Sequence, residues 1–176
     1  DFYDIKRLKV QPGKYELSLE IQDVNKMANL IKAKQDITIK DLRGEPSISA
    51  IEIAEFAYPD TLSSTFQKSG YYLIPRLSNY YPTQLNKLPV YFETYNLDSS
   101  KDSIVGLKQT LIDVFTKTEI DSYTIFYRLK PEAVTPIFKT VDLSLLPSGQ
   151  YELNYSLVNR KMEDKYIETY VFERTN

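Results

Sequence analysis

Two short segments of this chain echo one another and limit what it can fold into. Pro12-Gly13-Lys14-Tyr15-Glu16-Leu17 near the beginning is answered by Pro147-Ser148-Gly149-Gln150-Tyr151-Glu152-Leu153 near the end. Each places Pro and Gly just ahead of a Tyr, and each Tyr opens a run of alternating apolar and polar residues. Tyr15, Leu17, Leu19 and Ile21 share one face of the first run, and Tyr151, Leu153, Tyr155 and Leu157 share one face of the second. A period of two marks a half-buried strand, because successive side chains point to opposite sides. The spacing therefore predicts two corners, each made by Gly13 or Gly149 and each leading a Tyr into a strand.

In immunoglobulin-like sandwiches, a Tyr at the start of strand F bonds its hydroxyl back to the corner just turned. Tyr15 and Tyr151 are expected to do the same, with the hydroxyl on backbone just upstream of its own Gly. The chain is thus read as all-β, built of antiparallel immunoglobulin-like or fibronectin-III-like β-sandwiches. Abundant Tyr and Val/Ile/Thr-rich runs favour strands as well.

The stretch before Tyr15 is too short to be a sandwich. Residues 1–44 are expected to be the terminal hairpin of an incomplete first sandwich, with Asp23-Val24-Asn25-Lys26 as its turn and Ile31, Ala33, Ile37 and Ile39 on the returning strand. Asp41-Leu42-Arg43-Gly44-Glu45-Pro46 reads as a linker, polar and carrying Gly and Pro. Residues 45–176 then form a complete sandwich of about seven or eight strands. Ser47–Phe56 suits a first strand or a short helix, and Ser69–Pro75 a short strand. Leu88–Asn96, Ser122–Leu129 and Ile137–Leu143 are further strands, before a closing hairpin of Tyr151–Val158 and Tyr166–Glu173. Tyr80-Tyr81-Pro82 reads as a loop, because Pro removes a donor. Residues 104–115 fit both periods: Leu107, Leu111, Val114 and Phe115 as a helix, or Thr110, Ile112 and Val114 as a strand face. The all-β context tips them to strand. A first residue Asp1 in place of Met predicts a processed or excised fragment.

These segments carry a resemblance. Pro12–Leu17 followed by Gln22-Asp23, Lys68-Ser69-Gly70-Tyr71-Tyr72-Leu73-Ile74-Pro75, Tyr91–Asn96, Val134-Thr135-Pro136-Ile137-Phe138 leading to Asp142–Gly149, and the ending Val171–Asn176 together resemble the β-sandwich region of secreted Bacteroidetes proteins of the GWxTD-domain type. The resemblance spans nearly the whole chain and rests on strand and turn patterns. The Gly-Trp-x-Thr-Asp motif is absent, since the chain has no Trp. What the resemblance implies is an exported protein, periplasmic, at the cell surface or extracellular, with no established activity.

Chemistry is constrained mainly by what is missing. Without His or Cys, the usual zinc, copper and haem ligands and the Ser-His and Cys-His nucleophile systems are excluded. Asn96, Asp98, Ser100 and Asp102 recur as oxygen ligands do in a calcium loop, but Lys101 stands where the loop needs Gly and Leu107 where it needs Glu. No metal site and no cofactor are expected. Glu52 with Glu55, and Glu93 with Asp98, are acid pairs without a supporting motif, and no catalytic residue is assigned. Scattered glycines make no phosphate loop. A net charge of -2 and a pI near 5.3 argue against nucleic acid and anionic membrane surfaces as partners, and no apolar run reaches the ~20 residues of a membrane helix. Exposed tyrosines remain the binding candidates: Tyr80 and Tyr81, as a platform for a glycan or an anchor for a protein. Of Tyr71 and Tyr72, one should be core. The incomplete first sandwich also offers an apolar face for self-association.

Overall fold

The computed structural model describes residues 5–26, 30–62, 64–99 and 104–176; Ser100 and Asp102 of the calcium-like spacing therefore lie outside the described residues. The chain divides into two units, Asp1–Asp41 and Leu42–Asn176. The first is one antiparallel hairpin of β1 (Gly13–Gln22) and β2 (Leu30–Ile39), paired from Gly13 opposite Ile39 to Gln22 opposite Leu30. The turn begins at Asp23, whose carboxylate accepts from the Asn25 N–H at 2.8 Å. One face carries Tyr15, Leu17, Leu19, Ile21, Ile31, Ala33 and Ile37. The other carries the ion pairs Lys32–Glu20 and Lys34–Glu16, each 2.7 Å.

The second unit is a β-sandwich. Its strands in chain order are β3 (Ser47–Ile48), β4 (Glu52–Pro59), β5 (Gln67–Lys68), β6 (Tyr71–Pro75), β7 (Tyr80–Pro82), β8 (Lys87–Tyr95), β9 (Ile104–Asp113), β10 (Ile125–Arg128), β11 (Val134–Asp142), β12 (Gly149–Asn159) and β13 (Asp164–Thr175). One sheet has the order β11-β8-β4-β6-β5 with β3 also on β8, and the other β10-β9-β12-β13-β7. Every pairing is antiparallel except β13 with β7. Between the sheets lies one apolar core: Leu88, Val90 and Phe92 of β8 meet Leu107 and Leu111 of β9 and Leu153, Tyr155 and Leu157 of β12, all with no exposed surface. Phe92 and Tyr155 touch across the layers, ring centroids 4.6 Å apart.

Several local expectations are corrected. Ser47–Phe56 is neither one strand nor a helix: β3 and β4 pair separately with β8, and Ser49 between them exchanges backbone and side-chain bonds with Glu93. Ser69 and Gly70 do not begin a strand. Both have positive φ, 47° and 85°, and they form the two-residue turn of the β5–β6 hairpin, where that backbone matches the strand twist. Tyr80-Tyr81-Pro82 is not a loop but an edge strand parallel to β13; a Pro at the end of an edge strand loses no ladder bond. Residues 104–113 are strand, but the inward face is Leu107, Gln109 and Leu111, while Phe115 is 94% exposed.

Both corner tyrosines bond to the carbonyl four residues back. Tyr151 Oη donates to Pro147 O at 3.0 Å and Tyr15 Oη to Gln11 O at 2.8 Å. The Tyr151 ring lies directly over Gly149, where a Cβ would sit 3.0–3.2 Å from the ring and hydroxyl. The absence of a side chain there is what lets the ring fold back. At the linker, Asn96 adopts φ 59° and its amide donates to Leu42 O and Glu45 O at 2.7 and 2.8 Å, fastening this segment to the end of β8.

Candidate functional site

The edge position of β7 separates the two tyrosines first considered for binding. Alternation along that strand turns Tyr80 outward, 43% exposed, and Tyr81 inward, 1% exposed. Tyr81 packs edge-on to Phe172 at 5.5 Å, beneath the Arg76 guanidinium at 4.9 Å. Its hydroxyl is buried without a hydrogen-bond partner: Arg76 and Tyr170 lie close enough to influence it but make no bond of good geometry. Burial, then the neighbouring Tyr170, pushes its ionisation well above the ordinary tyrosine range. Tyr80 and Tyr81 therefore do not form one platform, and Tyr81 is part of the core. Neither Tyr71 nor Tyr72 is fully buried. They face opposite ways, Tyr71 onto Phe138 at 5.3 Å and Tyr72 onto Tyr58 at 5.0 Å.

The most connected polar cluster lies on the outer face of β8, where alternation sets Tyr91, Glu93 and Tyr95 in a row. Glu93 accepts from Tyr91 Oη at 2.5 Å, from Ser69 Oγ at 2.9 Å and from the Tyr95 hydroxyl. Lys68, paired with Glu52, stands 5.0 Å over the Tyr91 ring. Partial burial would raise the Glu93 ionisation, but the hydroxyl bonds from Tyr91, Tyr95 and Ser69 and the charge of Lys68 outweigh it and hold the carboxyl below its usual range. Its oxygens are occupied and it is ionised, so it can neither supply a proton nor accept one readily. Asp142 is held low too, by Lys87 at 2.6 Å and by the Ser144 hydroxyl and N–H. Of the two acid pairs considered, Glu52 is engaged by Lys68 and Glu93 by three hydroxyls. No group of three or more acidic side chains suited to a metal ion occurs among the described residues.

A cleft of about 480 Å³ opens on the side of the sandwich where edge strands β10 and β11 lie. Ile125, Val141 and Leu145 supply apolar wall, and Ser122, Tyr123, Thr140 and Asp142 bring polar groups. Lys139 reaches across from β11 to lie 4.0 Å over the Tyr127 ring of β10. Gln109, 2% exposed, lies at the back. It donates to Tyr123 O at 3.1 Å and accepts from Tyr155 Oη at 2.9 Å and Tyr127 Oη at 3.3 Å. Saturating this buried amide fixes β9, β10 and β12 around the cleft. Sequence reasoning missed Gln109; its signal was a polar residue exactly midway between Leu107 and Leu111 on one strand face. No helix is long and apolar enough to cross a membrane among the described residues.

No protein-family model matches this chain, and no curated protein matches it either.

Proposed function

We propose that the chain is a non-catalytic structural or binding module of an exported bacterial protein, of immunoglobulin-like or fibronectin-III-like type, presenting sheet faces and loops to a protein partner. The observation that carries this reading is the state of its acids. Glu93 and Asp142, the former part-buried and the latter at the surface, are held ionised by several donors each, an arrangement that braces strands and leaves neither poised for proton transfer. The immunoglobulin-like assignment is supported by the Tyr151 corner bond, and export by the resemblance described above. A broad hydrolase-substrate screen tests the reading: turnover by the purified chain that a Glu93→Gln or Asp142→Asn change abolishes would overturn it.

A second reading, a carbohydrate-binding accessory domain, has one observation in its favour. The β10–β11 cleft combines an aromatic ring with hydroxyl and carboxylate groups, the mixture that sugar rings engage. Saturable binding on a glycan array, weakened by Tyr123→Phe and unaffected by Tyr80→Ala, would favour it over the first.

A further inference from the structure

We propose that the pocket between Arg76 and the turn joining β7 to β8 binds a carboxylate, held by the fork of the Arg76 guanidinium. The inference goes beyond the module reading and does not depend on it. The pocket is about 160 Å³, walled by Arg76, Tyr81 and residues 84–87, with Ala54 and Pro89 completing its lining. It is far smaller than the about 300–1,000 Å³ of sites that enclose a whole ligand, so it takes a small group. Its walls are fixed from three strands. The Arg76 N–H donates to Ile53 O at 2.8 Å, Arg174 donates to Pro82 O and Leu85 O, and Asn86 O accepts from the Leu143 N–H at 2.9 Å.

Arg76 is a positioned cation that lacks a counter-charge. Nη2 donates to Tyr80 O at 2.9 Å and the guanidinium lies 4.9 Å over the Tyr81 ring, which together set its plane. Nε is buried without a hydrogen-bond partner, and so is Tyr81 Oη; of the five buried side-chain atoms in that state among the described residues, these two belong to the pocket. Among the described residues Arg76 makes no ion pair. Tyr81 does not supply the missing charge, because burial and then Tyr170 push its ionisation up and keep it a neutral phenol. A guanidinium can only donate, so what Arg76 lacks is an acceptor. Nη1 and the second hydrogen of Nη2 form the fork that takes both oxygens of a planar carboxylate.

The surrounding charges choose among anions. Lys87, also in the lining, is paired with Asp142 at 2.6 Å, and Glu55 adds a negative charge. One guanidinium is left to balance the ligand. That suits a singly charged carboxylate and disfavours a phosphate group carrying about −1.5 to −2. The carboxylate can be a free small molecule or the side chain of an Asp or Glu on a partner polypeptide.

The test follows the Arg76 Nε–H and the amides of residues 84–87 by NMR in the full chain, the Nε–H being assigned by its loss in Arg76→Lys. Sodium acetate should shift these signals saturably, with half-saturation on the order of 10 mM, while sodium chloride at equal ionic strength should leave them in place. Arg76→Lys keeps the charge and loses the planar fork, and should weaken acetate binding about tenfold, read on the amides. A capped Ala-Asp-Ala tripeptide separates the two sources: binding tighter than acetate assigns the site to a polypeptide side chain, and equal binding to a free carboxylate. Shifts that grow linearly without saturation, the mark of an adventitious ion only, overturn the proposal, as do shifts that chloride reproduces. So does inorganic phosphate binding more tightly than acetate, or acetate affinity unchanged in Arg76→Lys. The chloride and phosphate comparisons use the unaltered chain and stand whether or not the variant folds.

Discussion

Gly106→Ala is the substitution whose consequence can be worked most directly from the geometry. Gly106 is buried in β9, and a Cβ built on it would lie 2.8 Å from the backbone oxygen of Tyr127 in β10 and 3.3 Å from Cγ2 of Val158 in β12. Side chains are confronted here from both neighbouring strands, and the nearer obstacle is backbone, which cannot rotate away. Relief to an ordinary contact requires the two chains to part by about 0.6 Å, enough to forfeit a quarter to a half of the contact energy along the seam. Overpacking of this kind costs about 1–3 kcal/mol. With a urea dependence of about 1.5 kcal/mol per molar, a loss of about 2 kcal/mol lowers the unfolding midpoint by about 1.3 M. Because β10 is only Ile125–Arg128 and, among the described residues, pairs only with β9, the strain should concentrate there. Amide exchange in β10 should accelerate while β12 and β13 keep their protection, and the β10–β11 cleft should widen. An unchanged urea midpoint, or acceleration spread evenly over the unit, would refute the account of Gly106 as a close-approach position.

Three further outcomes are expected. Tyr151→Phe should lower the stability of the second unit by about 1 kcal/mol through loss of one hydrogen bond, and Gly149→Ala by about 1–3 kcal/mol because the Tyr151 ring, walled by Phe172 at 5.7 Å, cannot retreat; Tyr15→Phe should leave that unit's urea midpoint where it was. Arg174→Met should cost about 1–3 kcal/mol, since the 2%-exposed guanidinium donates to Leu85 O at 2.9 Å and to Pro82 O at 2.8 Å, the latter also accepting from the Leu85 N–H at 2.8 Å; an unfolding curve that overlays the parent would contradict it. For Glu93, whose folded ionisation lies below the ordinary 4.5, the stabilisation is fully present above pH 4.5 and is lost as pH falls through the lower folded value. The stability gap between the parent and Glu93→Gln should therefore close on acidification, and a gap that is constant down to the acid limit would dismiss the hydroxyl cluster as its cause.

Strand existence was legible in the sequence because alternation is a local property. Tyr15, Leu17, Leu19, Ile21 and Tyr151, Leu153, Tyr155, Leu157 announce their faces without knowledge of anything else. The corner bonds are equally local, each spanning four residues; the polar stretch with Gly44 and Pro46 put a boundary at 44/45, and the two compact units divide after Asp41. Where reading failed, the missing information was non-local. Nothing around Tyr81 tells that β13 will lie alongside and turn one tyrosine of a pair into core. Nothing around Gln109 tells that Tyr127 and Tyr155, from two other strands, will supply its donors, and this hid both the inward face of β9 and the cleft behind which Gln109 sits. Arg174 reads as a surface cation at the end of the chain until it is placed against carbonyls 92 and 89 residues earlier. The amino-acid pattern alone determined that this chain makes strands, corners and one apolar face per strand. Only the tertiary structure decided which of those faces are covered, because covering is done by residues far along the chain: it leaves Tyr151 2% exposed and Tyr15, its local twin, 38%.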